Sequence, residues 1–339
     1  MLELLGKGGQ GEVYSVLDHT MGEESALKIL TGAAIGDVWR EAKLLTQLSG
    51  KFLLRVRNAG LASGVPFVVS EIARHGTTSD EMISGIGVPI DRAMQWVIHA
   101  GHGASRMHDL GLVHNDLKPE NLFLNSTGDA LLGDLGFASE LNSAGFAALT
   151  GGTPATMSPE IAEAVLLVLA GTDPGQPCSV ASDVYALGAT LYWLLAGRPP
   201  YAGASHADVV AQVVGGPPPP LGSIAPHVPL NVVNVVETSM ARLPSDRFES
   251  ASSFTFALTK LTLPKRKWSR QPPHLGHEFC FLGTKGKSAM AVCASQPGIS
   301  SQLAIAITHQ PSGRNAEPPR TATRAQLPQR LRAVFRNYK

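Results

Sequence analysis

Residues 2–30 read as strand-like apolar and polar segments separated by turns, with glycines clustered between the first two. Alternation begins directly after Gly11 in Glu12-Val13-Tyr14-Ser15-Val16-Leu17, and the stretch predicts three strands joined by turns. The third, Ser25-Ala26-Leu27-Lys28-Ile29-Leu30, sets a lysine inside an apolar run, where an ammonium requires a partner. A helix is predicted from roughly Asp37 to Leu48, and two further strands over 52–72, ending Pro66-Phe67-Val68-Val69-Ser70-Glu71-Ile72-Ala73. Ala73 to Gly87 shows no regular period. From Pro89 to Leu110 apolar residues recur at helical spacing (Ile90, Met94, Val97, Ile98, Met107), predicting a long buried helix. Asn121-Leu122-Phe123-Leu124 and Ala130-Leu131-Leu132-Gly133 read as short strands, Ser139 to Thr153 as an aperiodic segment, and Asp183 to Leu195 as an apolar helix. Strands first and helices afterwards make an α+β chain.

Composition narrows the class. With 339 residues and 44% apolar content the chain can bury a core of its own. Net charge near zero conceals an asymmetry: residues 265–339 hold 13 of the 28 Lys and Arg and 2 of the 27 Asp and Glu, so the tail is near +11 and the rest near −10. Three scattered cysteines, Cys178, Cys280 and Cys293, make no disulfide framework, and a reducing, cytoplasmic setting is expected. Neither a secretory signal nor a membrane-spanning run is visible.

The chemistry concentrates in Val113-His114-Asn115-Asp116-Leu117-Lys118-Pro119-Glu120-Asn121-Leu122-Phe123-Leu124, followed by Asp134-Leu135-Gly136. An Asp, a Lys two places on and an Asn five places on can aim a carboxylate at a hydroxyl and set an amide beside a divalent cation, with a second Asp across it. A lone Asp in a loop is usually a turn former. Four polar residues at these offsets with apolar ones between them point instead to phosphoryl transfer. Upstream, Gly6, Gly8 and Gly11 form a G-x-G-x-x-G-x-V array that lets backbone approach phosphates. A dinucleotide fold would need a helix straight after Gly11, and the chain has a strand there.

On these residues the chain resembles the eukaryotic-type protein kinases, and Lys118 in His-x-Asp-Leu-Lys-Pro-Glu-Asn is similar to their serine/threonine branch. Gly152-Thr153-Pro154-Ala155-Thr156-Met157-Ser158-Pro159-Glu160 resembles the closing signature of the bacterial members. The resemblance covers about residues 2–263. It implies a bilobal fold, with an N-lobe of about 1–70, a C-lobe of about 74–263 and a kinase domain of 1–263, and it implies ATP bound with Mg²⁺, or Mn²⁺ in its place. Asp116 would be the catalytic base and Lys118 its companion at the γ-phosphate. Lys28, paired with Glu41, would hold the α and β phosphates, and Asn121 and Asp134 would bind the metal. Gly6, Gly8 and Gly11 would cover the phosphates, Val13, Ala26 and Phe123 would sandwich the adenine, and the backbone of Glu71 to Ala73 would be the hinge that bonds it, with Ser70 at the back of the pocket. Leu135 replaces the usual Phe. Asp183 would hold the catalytic loop, and Glu160 would pair with Arg247. The substrates would be proteins bearing Ser or Thr. Asn115 departs from the usual Arg, which binds an activation-segment phosphate. Activity is therefore expected to depend little on such phosphorylation, with Thr150 a candidate autophosphorylation site.

His99, His102 and His108, on or near the long helix, lack a Cys or carboxylate cluster and read as surface or packed helix residues rather than ligands. Residues 264–339, opening with Lys265-Arg266-Lys267-Trp268-Ser269-Arg270, read as a disordered basic tail that could contact acidic surfaces, with no specific nucleic acid or membrane span implied. Its His274, His277, Cys280 and Cys293 match no common zinc spacing. Three alternatives stand beside the kinase reading: a pseudokinase or nucleotide-binding scaffold, a small-molecule kinase of related fold, and a binding module acting through the tail.

Overall fold

The computed structural model describes residues 3–8, 11–18, 22–30, 48–261, 282–284 and 287–289. The N-terminal part is one antiparallel sheet of β1 (Glu3–Gly8), β2 (Gly11–Asp18), β3 (Glu23–Leu30), β4 (Val56–Ala62) and β5 (Val65–Glu71), in the order β1-β2-β3-β5-β4. The period-two pattern decides its faces. Val16, Leu27, Ile29, Phe67 and Val69 are buried together with Ala62 on one side. Opposed pairs share a face, so Val13, Lys28 and Val68, and beside them Ser15, Ala26 and Ser70, line the other. Gly11 could not be replaced in this sheet without a shift. Its φ is +147°, and a Cβ there would stand 2.0 Å from the Ile29 carbonyl oxygen.

The second lobe is helical: α1 (Ile90–His108), α2 (Pro159–Leu169), α3 (Val180–Ala196), α4 (His206–Gly215), α5 (Leu221–Ile224), α6 (Leu230–Ser239) and α7 (Ala251–Thr259). Helix α3 is apolar nearly all round and is buried accordingly, with Tyr185, Leu187, Leu191, Leu194 and Leu195 packed against Trp96, Val97 and Met107 of α1 and Phe254 and Leu258 of α7. Each large side chain so buried stabilises the lobe by about 1.5–3 kcal/mol. Ser179 and Ser182 close a capping box at the start of α3, and Gly197 ends it in the left-handed region at φ +66°. Small strand pairs decorate the lobe: β6 (Leu112–Val113) with β9 (Ser139–Glu140), and β7 (Leu122–Leu124) with β8 (Ala130–Leu132).

The lobes are joined by more than the chain crossing after β5. The Leu54 N–H donates to the Leu132 carbonyl and the Leu132 N–H to the Phe52 carbonyl, both at 2.8 Å, which fastens the approach to β4 onto β8. The fold is therefore the bilobal kinase arrangement, a five-stranded antiparallel lobe above a helical one. Residues 73–87 form turns, consistent with their lack of period, and run beside β7, where the Thr78 N–H donates to the Leu122 carbonyl at 2.9 Å. Pro217 to Pro220 joins α4 to α5 inside the helical lobe rather than linking two domains. Most of the predicted 37–48 helix, Glu41 included, lies outside the described residues, as does most of the tail. In the tail β10 (Leu282–Thr284) pairs antiparallel with β11 (Lys287–Ala289). Among the described residues no helix is long and apolar enough to cross a membrane.

Candidate active site

The catalytic loop runs from β6 to the 3-10 turn Pro119–Asn121, and its backbone is held by one carboxylate. Asp183, fully buried on α3, accepts the N–H of His114 at 2.8 Å on Oδ2 and that of Asn115 at 3.0 Å on Oδ1, while His108 Nε2 lies 2.8 Å from Oδ2. Burial opposes its ionisation, but the His108 contact and these bonds outweigh that and hold its carboxyl below the ordinary range. Asp183 is not the helix cap; Ser179 is. In the sequence His108 is one more helix histidine, and nothing local announces a partner 75 residues away.

His114 ties this loop to the next. Its Nδ1 accepts the Asp116 N–H at 3.2 Å, which leaves the proton on Nε2 to donate to the Gly133 carbonyl at 3.1 Å. The Gly133 N–H donates to the Asn121 carbonyl at 3.0 Å, so the residue before Asp134 is fixed at both ends. Asn115 and Asp134 adopt left-handed φ of +63° and +55°, a conformation that costs a non-glycine residue energy and tends to be kept at functional sites. Asn and Asp tolerate it best.

Asp116 is 2% exposed. The Asn121 amide donates to its carbonyl at 2.7 Å and to Oδ2 at 2.9 Å, and Lys118 Nζ lies 2.8 Å from Oδ2. Lys118 Nζ also donates to Thr153 Oγ1 at 2.7 Å, bringing the closing signature against the loop. Burial pushes the Asp116 carboxyl up, yet Lys118, with help from Thr153 and His114, takes it below its ordinary value, so it stays ionised. Among the described residues its Oδ1 has no hydrogen-bond partner. A buried acceptor of this kind is costly unless a donor arrives, and a substrate hydroxyl is such a donor.

Lys28 reaches across from the small lobe to pair with Asp134 Oδ1. The expected pairing with Glu41 falls on a residue outside those described. Asn121, by donating its amide N–H groups to Asp116, turns its carbonyl oxygen the other way. That oxygen and the Asp134 carboxylate are hard donors of the sort Mg²⁺ takes, so the residues fit a divalent metal. Val13 and Ala26 lie on the same sheet face as Lys28, half-buried, and Phe123 in β7 lies against Gly133, where a Cβ would meet its ring at 2.9 Å. The Glu71 N–H donates to the Arg55 carbonyl, and its carboxylate accepts the Arg55 N–H, both at 2.9 Å, which fixes the strand end that leads to Ala73. Gly6 and Gly8 belong to β1 and Gly11 opens β2. Far from these groups, Arg247 donates to both oxygens of Glu160 at 2.7 Å, and also to the carbonyls of Ala181, Ala241 and Arg242.

Of the histidines left over, His99 stacks on Phe52 with ring centroids 4.1 Å apart and accepts the Ala130 N–H, and His102 also stacks on Phe52, with centroids 5.7 Å apart. Burial, the larger influence, lowers the pKa of His99. Cys178 is buried, and its thiol is pushed up to about 12 by burial and by the charges of Asp183 and Glu160. It is not a nucleophile.

Comparison with known proteins agrees with this geometry. Residues 1–229 match the protein kinase domain family. A probable serine/threonine-protein kinase of Corynebacterium efficiens is 32% identical over 277 residues, 76% of this chain and 40% of the relative. The probable serine/threonine-protein kinase PknB of Corynebacterium glutamicum is 31% identical over 280 residues, and serine/threonine-protein kinase PknL of Mycobacterium tuberculosis 29% over 256 residues. The chain spans about two fifths of the length of the two corynebacterial relatives, 40% and 41%. With the family match covering both lobes and the catalytic loop, the chain belongs to the protein kinase domain family.

Proposed function

We propose that the chain is an ATP-dependent serine/threonine protein kinase that transfers the γ-phosphate of ATP, bound with Mg²⁺, to protein hydroxyls. The observation that carries the reading is Asp116: buried, held ionised, and left with one acceptor oxygen unmet beside Lys118. Asp116 Oδ1 accepts the substrate hydroxyl proton as the oxygen attacks phosphorus. Lys118, already shared between Asp116 and Thr153, steadies the transferred group. Lys28 divides its charge between Asp134 and the α and β phosphates. Asn121 and Asp134 would hold the metal, which would supply positive charge against that building on the phosphoryl oxygens. The face formed by Val13 and Ala26, with Phe123 below, takes the adenine, and Glu71 to Ala73 bond its edge through backbone groups. Placement and electrostatics supply the rate. The presence of Lys28, Asp116, Asn121 and Asp134 together favours this reading over a scaffold.

The test is incubation of the purified chain with Mg-ATP and a generic basic protein, followed by phosphoamino-acid analysis. Phosphoserine and phosphothreonine are expected with the native chain and absent with Lys28→Met. Nucleotide binding without transfer by the native chain would establish the scaffold instead.

A further inference from the structure

One residue grips the turn that carries Asn121 from both sides. Thr78 Oγ1 donates to the Pro119 carbonyl at 2.8 Å, and its backbone N–H donates to the Leu122 carbonyl at 2.9 Å. Asn121 lies between the two carbonyls. The turn needs such a grip, because it is a single 3-10 turn of three residues whose Lys118 cap supplies no side-chain bond. Inside it the Asn121 N–H donates to the Lys118 carbonyl at 3.1 Å, and the Leu122 N–H to that of Pro119. Those two bonds shape the turn without anchoring it.

Thr78 is fully buried. A hydroxyl is costly to bury unless it is bonded, and a position that had only to fill space would be served by valine, which has the same outline. The residue is itself held from outside. The Thr77 N–H and Oγ1 both donate to Asp80 Oδ2, at 2.7 and 3.0 Å, and the Asp80 N–H donates to the Thr77 carbonyl at 3.1 Å. The Leu124 N–H donates to the Gly76 carbonyl at 2.9 Å, and Thr77 bridges antiparallel to Phe123, so residues 76–78 lie as an extra edge along β7. The segment that leaves the proposed adenine hinge at Ala73 is thus the one that holds the turn.

We infer that Thr78 is a positioning residue for phosphoryl transfer, whose hydroxyl sets the place of the catalytic turn and, through it, the aim of the Asn121 side chain. The inference deepens the kinase reading and rests on it. Two groups of Asn121 depend on that placement. Its side-chain amide donates to the Asp116 carbonyl and to Oδ2, which turns its other oxygen away from the base, and its backbone carbonyl accepts the N–H of Gly133, the residue before Asp134. A turn that slides along β7 therefore misplaces both residues proposed to hold Mg²⁺. Without the hydroxyl the Pro119 carbonyl keeps the Leu122 N–H and loses the bond to Thr78, so the turn keeps its shape and loses its place. A reaction driven by placement is sensitive to such a shift even when no reacting group is removed.

The experiment compares the full chain with Thr78→Val, Thr78→Ser and, as a control, Thr190→Val. Thr190 is also buried, and its hydroxyl donates to the Ala186 carbonyl within its own helix α3 at 2.7 Å. In metal-free protein the Asn121 and Leu122 amides should exchange with solvent about fivefold faster in Thr78→Val, the equivalent of one neutral hydrogen bond, and at the native rate in Thr190→Val. With ATP saturating, Thr78→Val should transfer phosphate about tenfold more slowly and need more Mg²⁺ to reach half-maximal rate, with the KM for ATP unchanged. Thr78→Ser, which keeps the hydroxyl, should restore both, and Thr190→Val should lower the melting temperature with neither effect. A Thr78→Val chain that melts lower yet transfers at the native rate with the native Mg²⁺ requirement overturns the inference and leaves the kinase reading intact, as does a Thr78→Ser chain no faster than Thr78→Val. A native chain that transfers nothing overturns the kinase reading and the inference with it.

Discussion

Lys118 Nζ stands 2.8 Å from Oδ2 of Asp116, the residue proposed as the base. Burial alone would raise the Asp116 carboxyl; the ammonium beside it brings the balance below the ordinary range. In Lys118→Met the transfer rate should fall on the order of 10²-fold. The shape of the pH profile should change too. With the counter-charge gone burial dominates, the base protonates at higher pH, and the acid limb moves upward. A variant whose acid limb coincides with that of the native enzyme would show that Lys118 does not tune the base.

Asp183 carries the catalytic loop through two backbone N–H groups and His108. Asn in its place keeps one acceptor oxygen and orphans at least one buried donor, a loss of about 1–3 kcal/mol for each such group. Its folded pKa lies below the ordinary value, so its stabilising contribution is fully present above about pH 4 and is lost as pH falls through the depressed value. The melting-temperature gap between native protein and Asp183→Asn should therefore shrink as pH falls below about pH 4. A gap that widens below about pH 4 would contradict the sign.

Strand pattern and loop chemistry were legible because both are local. The alternation around Gly11 gave β2, and the offsets of Asp116, Lys118 and Asn121 gave the loop. What could not be read depends on distant pairing. The resemblance set Asp183 at the catalytic loop, but nothing in the spacing shows that its carboxylate reaches 68 residues upstream, or that the helix begins earlier, behind a Ser179 cap. The Asn115 substitution signalled a missing charge but not what replaces it, since Phe137, Ser139 and Thr150 are brought to it only by the path of the activation segment.

Arg247 is buried against Glu160, which keeps 24% of its side-chain surface exposed. Removing the arginine strands a carboxylate and three backbone carbonyls, at the lower end of the about 3–5 kcal/mol that breaking a buried pair costs. At about 2–4 °C per kcal/mol for a domain of this size, Arg247→Ala should lower the melting temperature by about 10 °C. The KM for ATP of the protein that remains folded should not change, because the pair touches none of the groups assigned to nucleotide. A raised KM with native stability would give Arg247 a different role.

The most direct measurement compares native protein with Asp116→Asn for phosphate transfer to a basic protein and, separately, for binding of ATP with Mg²⁺. Asparagine keeps the size of the side chain but cannot accept the hydroxyl proton. Binding should persist while transfer falls by about 10²–10⁴-fold. An Asp116→Asn enzyme that phosphorylates as fast as the native one would remove Asp116 from the chemistry.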